Sequence, residues 1–298
     1  MDVLLNGRMV KPENARIYGD DSGLQHGVGL FETMYAKNGK VFRLQKHLDR
    51  LAESASLLGL ASELDLKKLT RAGNRTISHN KLSEARIRLT ITPGRTSLLN
   101  PQDADKKPKQ TILVVPSEPI RYDPEYFTKG ATVVIAGPLA NPFDVTFGHK
   151  TVNYWHRLRT LRHAASMGAG EAIWLNISNH LASGAVSNLM LIKNEQILTP
   201  FARGEEIAGA LPAPVLPGIT RDAIIEIAKQ FDIPVQKRML SVSDLLEADE
   251  VFLTNSGWQV LPVTHVEKKK IGDGEIGPLT AKLRERLLEM IETETESD

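Results

Sequence analysis

Two Asn-Gly pairs, Asn6-Gly7 and Asn38-Gly39, each interrupt a short run of apolar, β-prone residues. A two-residue hairpin turn of type I′ needs φ > 0 at both central positions, which Asn and Gly tolerate best. Its twist also matches that of the strands it joins. "VLLNGRMV" and "GLFETMYAKNGKVFRL" are therefore expected to be hairpins. A chain that begins with two hairpins begins with antiparallel sheet.

Helical patterns follow. "QKHLDRLAESASLLGL" places Leu48, Leu51, Ala55 and Leu58 on one stripe and ends at Gly59. "DLKKLTRAGNRTISHN" predicts a second helix, and "EARIRLTITPG" and "QTILVVPSE" alternate as strands around a polar loop, "PQDADKKPK". Residues 1–115 thus read as an α+β domain. "PSEPIRYDPEY", residues 116–126, carries three prolines and no periodicity and reads as a linker. Residues 127–298 form a second domain, with strand-like "ATVVIAGPL", "EAIWLN", "HLASGA", "NLMLIKNEQILTP" and "EVFLTNSGWQVLPV". Its helices are expected in "NYWHRLRTLRHAASMG", "TRDAIIEIAKQFD" and "PLTAKLRERLLEMIE". Hairpin-sized links predict a largely antiparallel or mixed sheet. The acidic tail "ETETESD" reads as frayed.

With 37 basic and 36 acidic residues the net charge is +1, so no global field favours nucleic acid or an anionic membrane. Cysteine is absent, which removes disulfides, thiolate metal sites and Cys nucleophiles, and fits a reducing compartment. "MDVLLNGRMV" is too polar for a signal peptide, and no run approaches the roughly 20 apolar residues of a membrane helix. The expectation is a soluble, cytoplasmic protein acting on a small molecule.

Several motifs have ordinary readings. "GDGEIG", residues 272–277, matches G-x-G-x-x-G, yet no strand follows it, so a turn is expected. His149, His156 and His163 recur every seven residues, about 10 Å apart on a helix. That is too far for one metal, and they read as one helix face. "LPGITRDAIIEIA" starts an amphipathic helix whose first amides, at Gly218, Ile219 and Thr220, form an anion site. Thr254, Asn255 and Ser256 follow a strand as a cluster of donors, Arg50 lies in "HLDRL", and Lys150 ends the apolar stretch "FDVTFGHK". A lysine there is paired, reaches water, or is present for its amine. Taken together these groups suit a phosphorylated aldehyde: an amine for a Schiff base, and cations with amides for a dianionic phosphate.

In order along the chain, "NGRMV", "DDSGLQHGVGLFETM", "HLDRL", "HKTVNYW", "SGAVSNLMLI", "LPGITRDAI", "ADEVFLTNS" and "IGDGEIGPLTAKL" resemble the class IV aminotransferases. These are fold-type IV pyridoxal-phosphate enzymes, which include branched-chain and D-amino-acid aminotransferases and 4-amino-4-deoxychorismate lyase. The resemblance implies two α/β (α+β) domains with pyridoxal 5′-phosphate in the interdomain cleft, and a homodimer. It matches Lys150 to the Schiff-base lysine and Arg50, Ile219, Thr220 and Ser256 to the phosphate ligands. Gly218 opens that phosphate site, and Tyr154 falls near the cofactor.

Two departures stand out. Counting back from Asn188 in the family's E-G-x-x-x-N puts Ser183 where a glutamate keeps the pyridine nitrogen protonated. A hydroxyl does this less well, leaving the cofactor a weaker electron sink. His26 and Val28 replace the usual residues of the early motif, so the substrate pocket is expected to differ. A weak sink suits an elimination driven by aromatisation, and Thr33 matches the threonine proposed in the lyases to protonate the leaving enolpyruvyl group. The favoured expectation is thus a lyase releasing pyruvate from an amino-carboxylate. A branched-chain or D-amino-acid transaminase is the alternative, and a cofactor-binding protein without catalysis is a third. Arg88 is a candidate substrate-carboxylate clamp, with Asn255 and His26 as lesser candidates.

Overall fold

The computed structural model describes residues 1–95 and 109–296. The expected polar loop therefore lies outside the described residues, apart from Lys109. The chain divides into two compact units. The first comprises Met1–Ile120, His149–Asn153 and Ile291–Asp298, and the second Arg121–Gly148 and Tyr154–Met290. The segment read as a linker is partly structured. Pro116 and Ser117 end strand β6 (Thr111–Ser117), and Glu125 opens helix α4 (Glu125–Thr128).

The first unit is built on one antiparallel sheet. Its remaining strands are β1 (Val3–Leu5), β2 (Arg8–Val10), β3 (Leu30–Lys37), β4 (Lys40–Val41) and β5 (Ala85–Thr92). They are ordered β2-β1-β6-β5-β3-β4. Both Asn-Gly pairs make the expected turns, with φ of 50° and 83° at Asn6 and Gly7 and of 52° and 75° at Asn38 and Gly39. Strict alternation splits β3 and β5 into two faces. Leu30, Met34, Ile87, Leu89 and Ile91 are buried in one core with residues of helices α2 (Leu44–Leu57) and α3 (Leu66–Asn80). Burying each such side chain contributes about 1.5–3 kcal/mol. The opposite face carries Phe31, Thr33, Tyr35, Arg86, Arg88 and Thr90. Glu32 is the exception, a carboxylate on the core face.

The second unit holds a mixed sheet ordered β12-β11-β10-β13-β14-β7-β8-β9, with β15 (Lys269–Lys270) pairing β14 (Gln259–Val266). The others are β7 (Ala131–Ala140), β8 (Glu171–Asn176), β9 (Leu181–Gly184), β10 (Asn188–Lys193), β11 (Gln196–Thr199), β12 (Val235–Lys237) and β13 (Glu250–Asn255). The β11–β12, β14–β7 and β7–β8 pairs are parallel and the rest antiparallel. One cluster gathers Ile173, Leu189, Leu191, Leu253 and Leu261. Another packs Val134, Ala172 and Trp174 with Ala164 of helix α5 (Trp155–Ser166).

Two expectations are corrected here. His149 precedes α5 and pairs its Nδ1 with Ser54 Oγ at 2.9 Å, so the three histidines share no helix face. The acidic tail is ordered through Thr295, because helix α8 (Pro278–Thr295) continues into the first unit. There Ile291 and Thr295 are buried, Glu292 pairs with Lys37, and Glu294 pairs with Arg43 at 3.0 Å. "GDGEIG" forms the turn before α8, with φ of 55° at Gly272 and 89° at Gly274.

Candidate active site

Lys150 belongs to the first unit, not to the unit that carries the sequence on either side of it. The backbone of Phe31 donates to the Lys150 carbonyl at 2.9 Å, Val152 donates to Gly29 at 2.9 Å, and Leu30 bridges Thr151. The short segment His149–Asn153 thus lies along the start of β3. Gly29 permits this approach, since a Cβ there would stand 2.8 Å from the Ile91 carbonyl and 3.4 Å from Val152. The Phe31 ring gathers two cations: Lys150 Nζ lies 4.6 Å and Arg88 Cζ 3.6 Å from its centroid. Strand register sets Thr33 directly opposite Arg88. Lys150, Thr33 and Arg88 are therefore assembled around one face of the sheet.

Behind this face lies a buried ionic cluster that inspection of the sequence missed. Helix α2 presents His47, Arg50 and Ser54, all buried, at i, i+3 and i+7. Arg50 donates to both Glu32 oxygens, Nε to Oε1 at 2.9 Å and Nη2 to Oε2 at 2.5 Å, and His47 Nδ1 lies 2.8 Å from Oε2. Burial pushes the Glu32 carboxyl upward, but the Arg50 charge and the His47 hydrogen bond outweigh it and leave the pKa at about 2. Burial lowers the His47 pKa against the pull of Glu32. The available signal was an acid at a core-facing strand position, flanked by Leu30 and Met34.

The second unit carries the remaining candidates. Helix α6 (Ile219–Gln230) begins at Gly218 with no side-chain cap, while Ile219 and Thr220 are buried. The first amides of a helix lack intrahelical acceptors, so this N-terminus suits an anion. Asn188 holds the approach by donating Nδ2 to the Leu216 carbonyl at 2.8 Å, and Gly218 leaves room for it. Thr254 lies across from Asn188, and its buried Oγ1 has no hydrogen-bond partner among the described residues. Ser256 is half-buried beyond β13. Asn255 is committed to its own turn, where Oδ1 accepts from Gly257 and Trp258 and Nδ2 reaches Val186.

Ser183 sits on β9 opposite Trp174. A neighbouring carboxylate, Glu171, is fully buried and engaged: it accepts from Ala172 N at 2.9 Å, Val186 N at 3.0 Å and Ser187 Oγ at 3.0 Å. Burial raises its pKa despite these bonds. It packs under Gly184, where a Cβ would meet Glu171 Oε2 at 3.0 Å and Ser187 Oγ at 2.0 Å. Tyr154 immediately precedes α5, with the Arg157 guanidinium 5.9 Å from its ring, and the exposed His26 ends helix α1 (Ser22–His26). A cavity of about 250 Å³ in the second unit, lined by Phe201, Leu211 and Met239 among others, includes none of these residues.

Taken unit by unit, the residues suit a phosphorylated pyridoxal. The first unit offers the Lys150 amine and an Arg50 guanidinium already paired with Glu32. The second offers the buried, uncapped N-terminus of α6 and the Thr254 Oγ1 hydroxyl, which has no hydrogen-bond partner among the described residues. One part departs from it, because Ser183 places no carboxylate on β9.

Residues 29–266 match the family described as amino-transferase class IV. The D-alanine aminotransferase of Listeria monocytogenes is 29% identical over 98% of this chain and 96% of its own length. The branched-chain amino acid aminotransferase structure of Escherichia coli aligns with a TM-score of 0.88 at 28% identity, covering 100% of this chain and 96% of that one. The 4-amino-4-deoxychorismate lyase of Pseudomonas aeruginosa shares the fold, with a TM-score of 0.82 at 23% identity over 96% of this chain and 98% of that one. With the family matched from Gly29 through β14 and the fold matched end to end, this chain belongs to the class IV aminotransferases, enzymes that work with pyridoxal 5′-phosphate.

Proposed function

We propose that the chain is a pyridoxal-phosphate enzyme acting through Lys150 on a small amino-carboxylate, with elimination of pyruvate as its favoured reaction. The bound cofactor supplies an electron sink for the bond broken at the amine-bearing carbon. Lys150 would hold the cofactor through its amine, and the same amine would move a proton at the amine-bearing carbon of the substrate. By the family resemblance Arg50, Ile219, Thr220 and Ser256 would hold the cofactor's phosphate, and Arg88 would orient a substrate carboxylate. Thr33, opposite Arg88, donates a proton to the leaving group.

The observation that carries the choice of elimination is Ser183. The family's carboxylate is absent from β9, and Glu171 is spent on Ala172, Val186 and Ser187. A weaker sink hampers amino transfer more than a reaction that ends in an aromatic ring. The relatives favour a second reading, transamination of a branched-chain or D-amino acid. A homodimer and a cytoplasmic location belong to the same proposal.

Borohydride reduction of the yellow protein, followed by peptide mapping, tests the first step. Label on the Lys150 peptide supports the proposal, and a protein that stays colourless with excess cofactor rejects it. Assays for pyruvate from 4-amino-4-deoxychorismate and for amino transfer to 2-oxo acids then separate the two readings.

A further inference from the structure

The third residue of α6, Arg221, is buried although it carries a charge. A cation out of water needs both its donors and its charge matched. Its Nε donates to Thr199 Oγ1 at 3.1 Å and its Nη2 to the Pro200 carbonyl at 3.2 Å. Glu205 matches the charge, with Nη1 3.0 Å from Oε1 and Nη2 2.8 Å from Oε2. Glu205 also accepts from Lys237 Nζ at 2.7 Å and from the Ala202 amide at 2.8 Å. Burial pushes the Glu205 carboxyl upward, but Arg221 and Lys237 outweigh it and leave the pKa at about 2. The group is therefore a carboxylate at neutral pH.

These bonds fasten the start of α6 from two sides. Thr199 donates its own hydroxyl to the Leu189 carbonyl at 2.9 Å, and the preceding residue, Asn188, holds the Leu216 carbonyl. Strand β10 thus grips the chain before Gly218 through Asn188, and after Thr220 through Thr199 and Arg221. The charges work against one another. The amides of Ile219 and Thr220 attract an anion, and the Arg221 cation next to them in the chain would add to that attraction. Glu205, bidentate on the same guanidinium, cancels much of it.

We infer that Glu205 is a positioning residue with two opposed effects on the anion site. It fixes Arg221, and with it the first turn of α6, and it attenuates the positive potential at the Ile219 and Thr220 amides. This inference rests on the reading of that helix start as a phosphate site given above.

Titration of inorganic phosphate into the full-length apoprotein tests it, with calorimetry for affinity, amide NMR for location and urea unfolding for stability. In wild type, phosphate is expected to shift the Ile219 and Thr220 amides. Glu205→Gln should be less stable than wild type yet bind phosphate about threefold or more tightly at low salt. Most of that gain should vanish at about 1 M salt, where charges are screened within a few ångströms. Arg221→Met should bind phosphate about threefold or more weakly, because only Lys237 then offsets Glu205. Both changes together should return the affinity to near wild type. A purely structural role would weaken binding in all three variants. Should Arg221→Met not fold, Glu205→Gln decides alone. Phosphate that still shifts Ile219 and Thr220 but binds Glu205→Gln no more tightly than wild type overturns the role of Glu205. Phosphate that leaves those amides unmoved in wild type defeats the phosphate-site reading, and the inference with it.

Discussion

Arg50 grips Glu32 through two hydrogen bonds in a site where Arg50 is 8% and Glu32 1% exposed. A buried pair of this kind contributes little compared with an apolar pair, but breaking it strands a charge. Glu32→Ala should therefore lower stability by about 3–5 kcal/mol. It should also weaken pyridoxal-phosphate retention, because the guanidinium loses the carboxylate that fixes its orientation. Urea denaturation of the apoprotein and a cofactor titration measure the two effects separately. A Glu32→Ala variant as stable as wild type would mean that the pair forms no part of the folded core.

The same cluster sets an acid limit. Unfolded Glu32 takes up its proton near the ordinary value of 4.5, while the folded carboxyl holds out to about 2. Its contribution is complete above pH 4.5 and is lost as the pH falls towards 2. His47 acts in the same sense from a higher pH, since its folded pKa lies below the usual 6.5 and the unfolded state gains protons first. Stability should thus decline in two stages, beginning below pH 6.5 and steepening below 4.5. Denaturant midpoints from pH 8 to 3 check this, and Glu32→Gln should remove most of the lower stage.

Ser183→Glu restores a carboxylate to β9. If Ser183 is what weakens the sink, a folded, yellow variant gains amino-transfer activity by about tenfold, equivalent to about 1.4 kcal/mol of barrier. Spectra recorded across pH should also change, because a carboxylate beside the pyridine nitrogen raises its pKa. A folded, yellow Ser183→Glu with unaltered spectrum and rates would remove Ser183 from the account of reaction choice.

Much of the fold is legible in local chemistry. Asn6-Gly7 and Asn38-Gly39 announce hairpins because so few residues tolerate positive φ, and the stripe of Leu48, Leu51 and Ala55 announces α2. Lys150, Arg50 and the start of α6 stand out by residue type and position. What stays hidden depends on tertiary pairing. No local pattern reveals that residues 149–153 leave the second unit to lie along β3, or that Glu32 meets a helix fifteen and eighteen residues later. Glu171 is hidden for the same reason, since its partners Val186 and Ser187 lie across a hairpin. The tail misleads because its composition is acidic, whereas its order comes from burial of Ile291 and Thr295.

That burial can be tested. Ile291 is 2% exposed in the first unit, so Ile291→Ala should cost about 2–5 kcal/mol. Glu294 is 38% exposed in its pair with Arg43, and Glu294→Gln should cost no more than about 1 kcal/mol. Thermal and urea unfolding of the two variants give the comparison. Equal effects would show that charge rather than apolar contact docks the last turn of α8.

Gly218 is a test of packing rather than of backbone freedom, because its φ of −75° suits any residue. A Cβ there would stand 1.9 Å from Asn188 Oδ1, so Gly218→Ala must displace the side chain that donates to the Leu216 carbonyl. The lost hydrogen bond and local strain should cost about 1–3 kcal/mol. They should also misalign the amides of Ile219 and Thr220, raising the dissociation constant for pyridoxal phosphate and for inorganic phosphate alike. Asn188→Ala removes the obstacle, so Gly218→Ala added to it should cost much less than it does alone. A double-mutant cycle in urea, with phosphate binding measured on all four proteins, gives that coupling directly. Additive costs would mean that Asn188 and Gly218 act independently and that something else sets the start of α6.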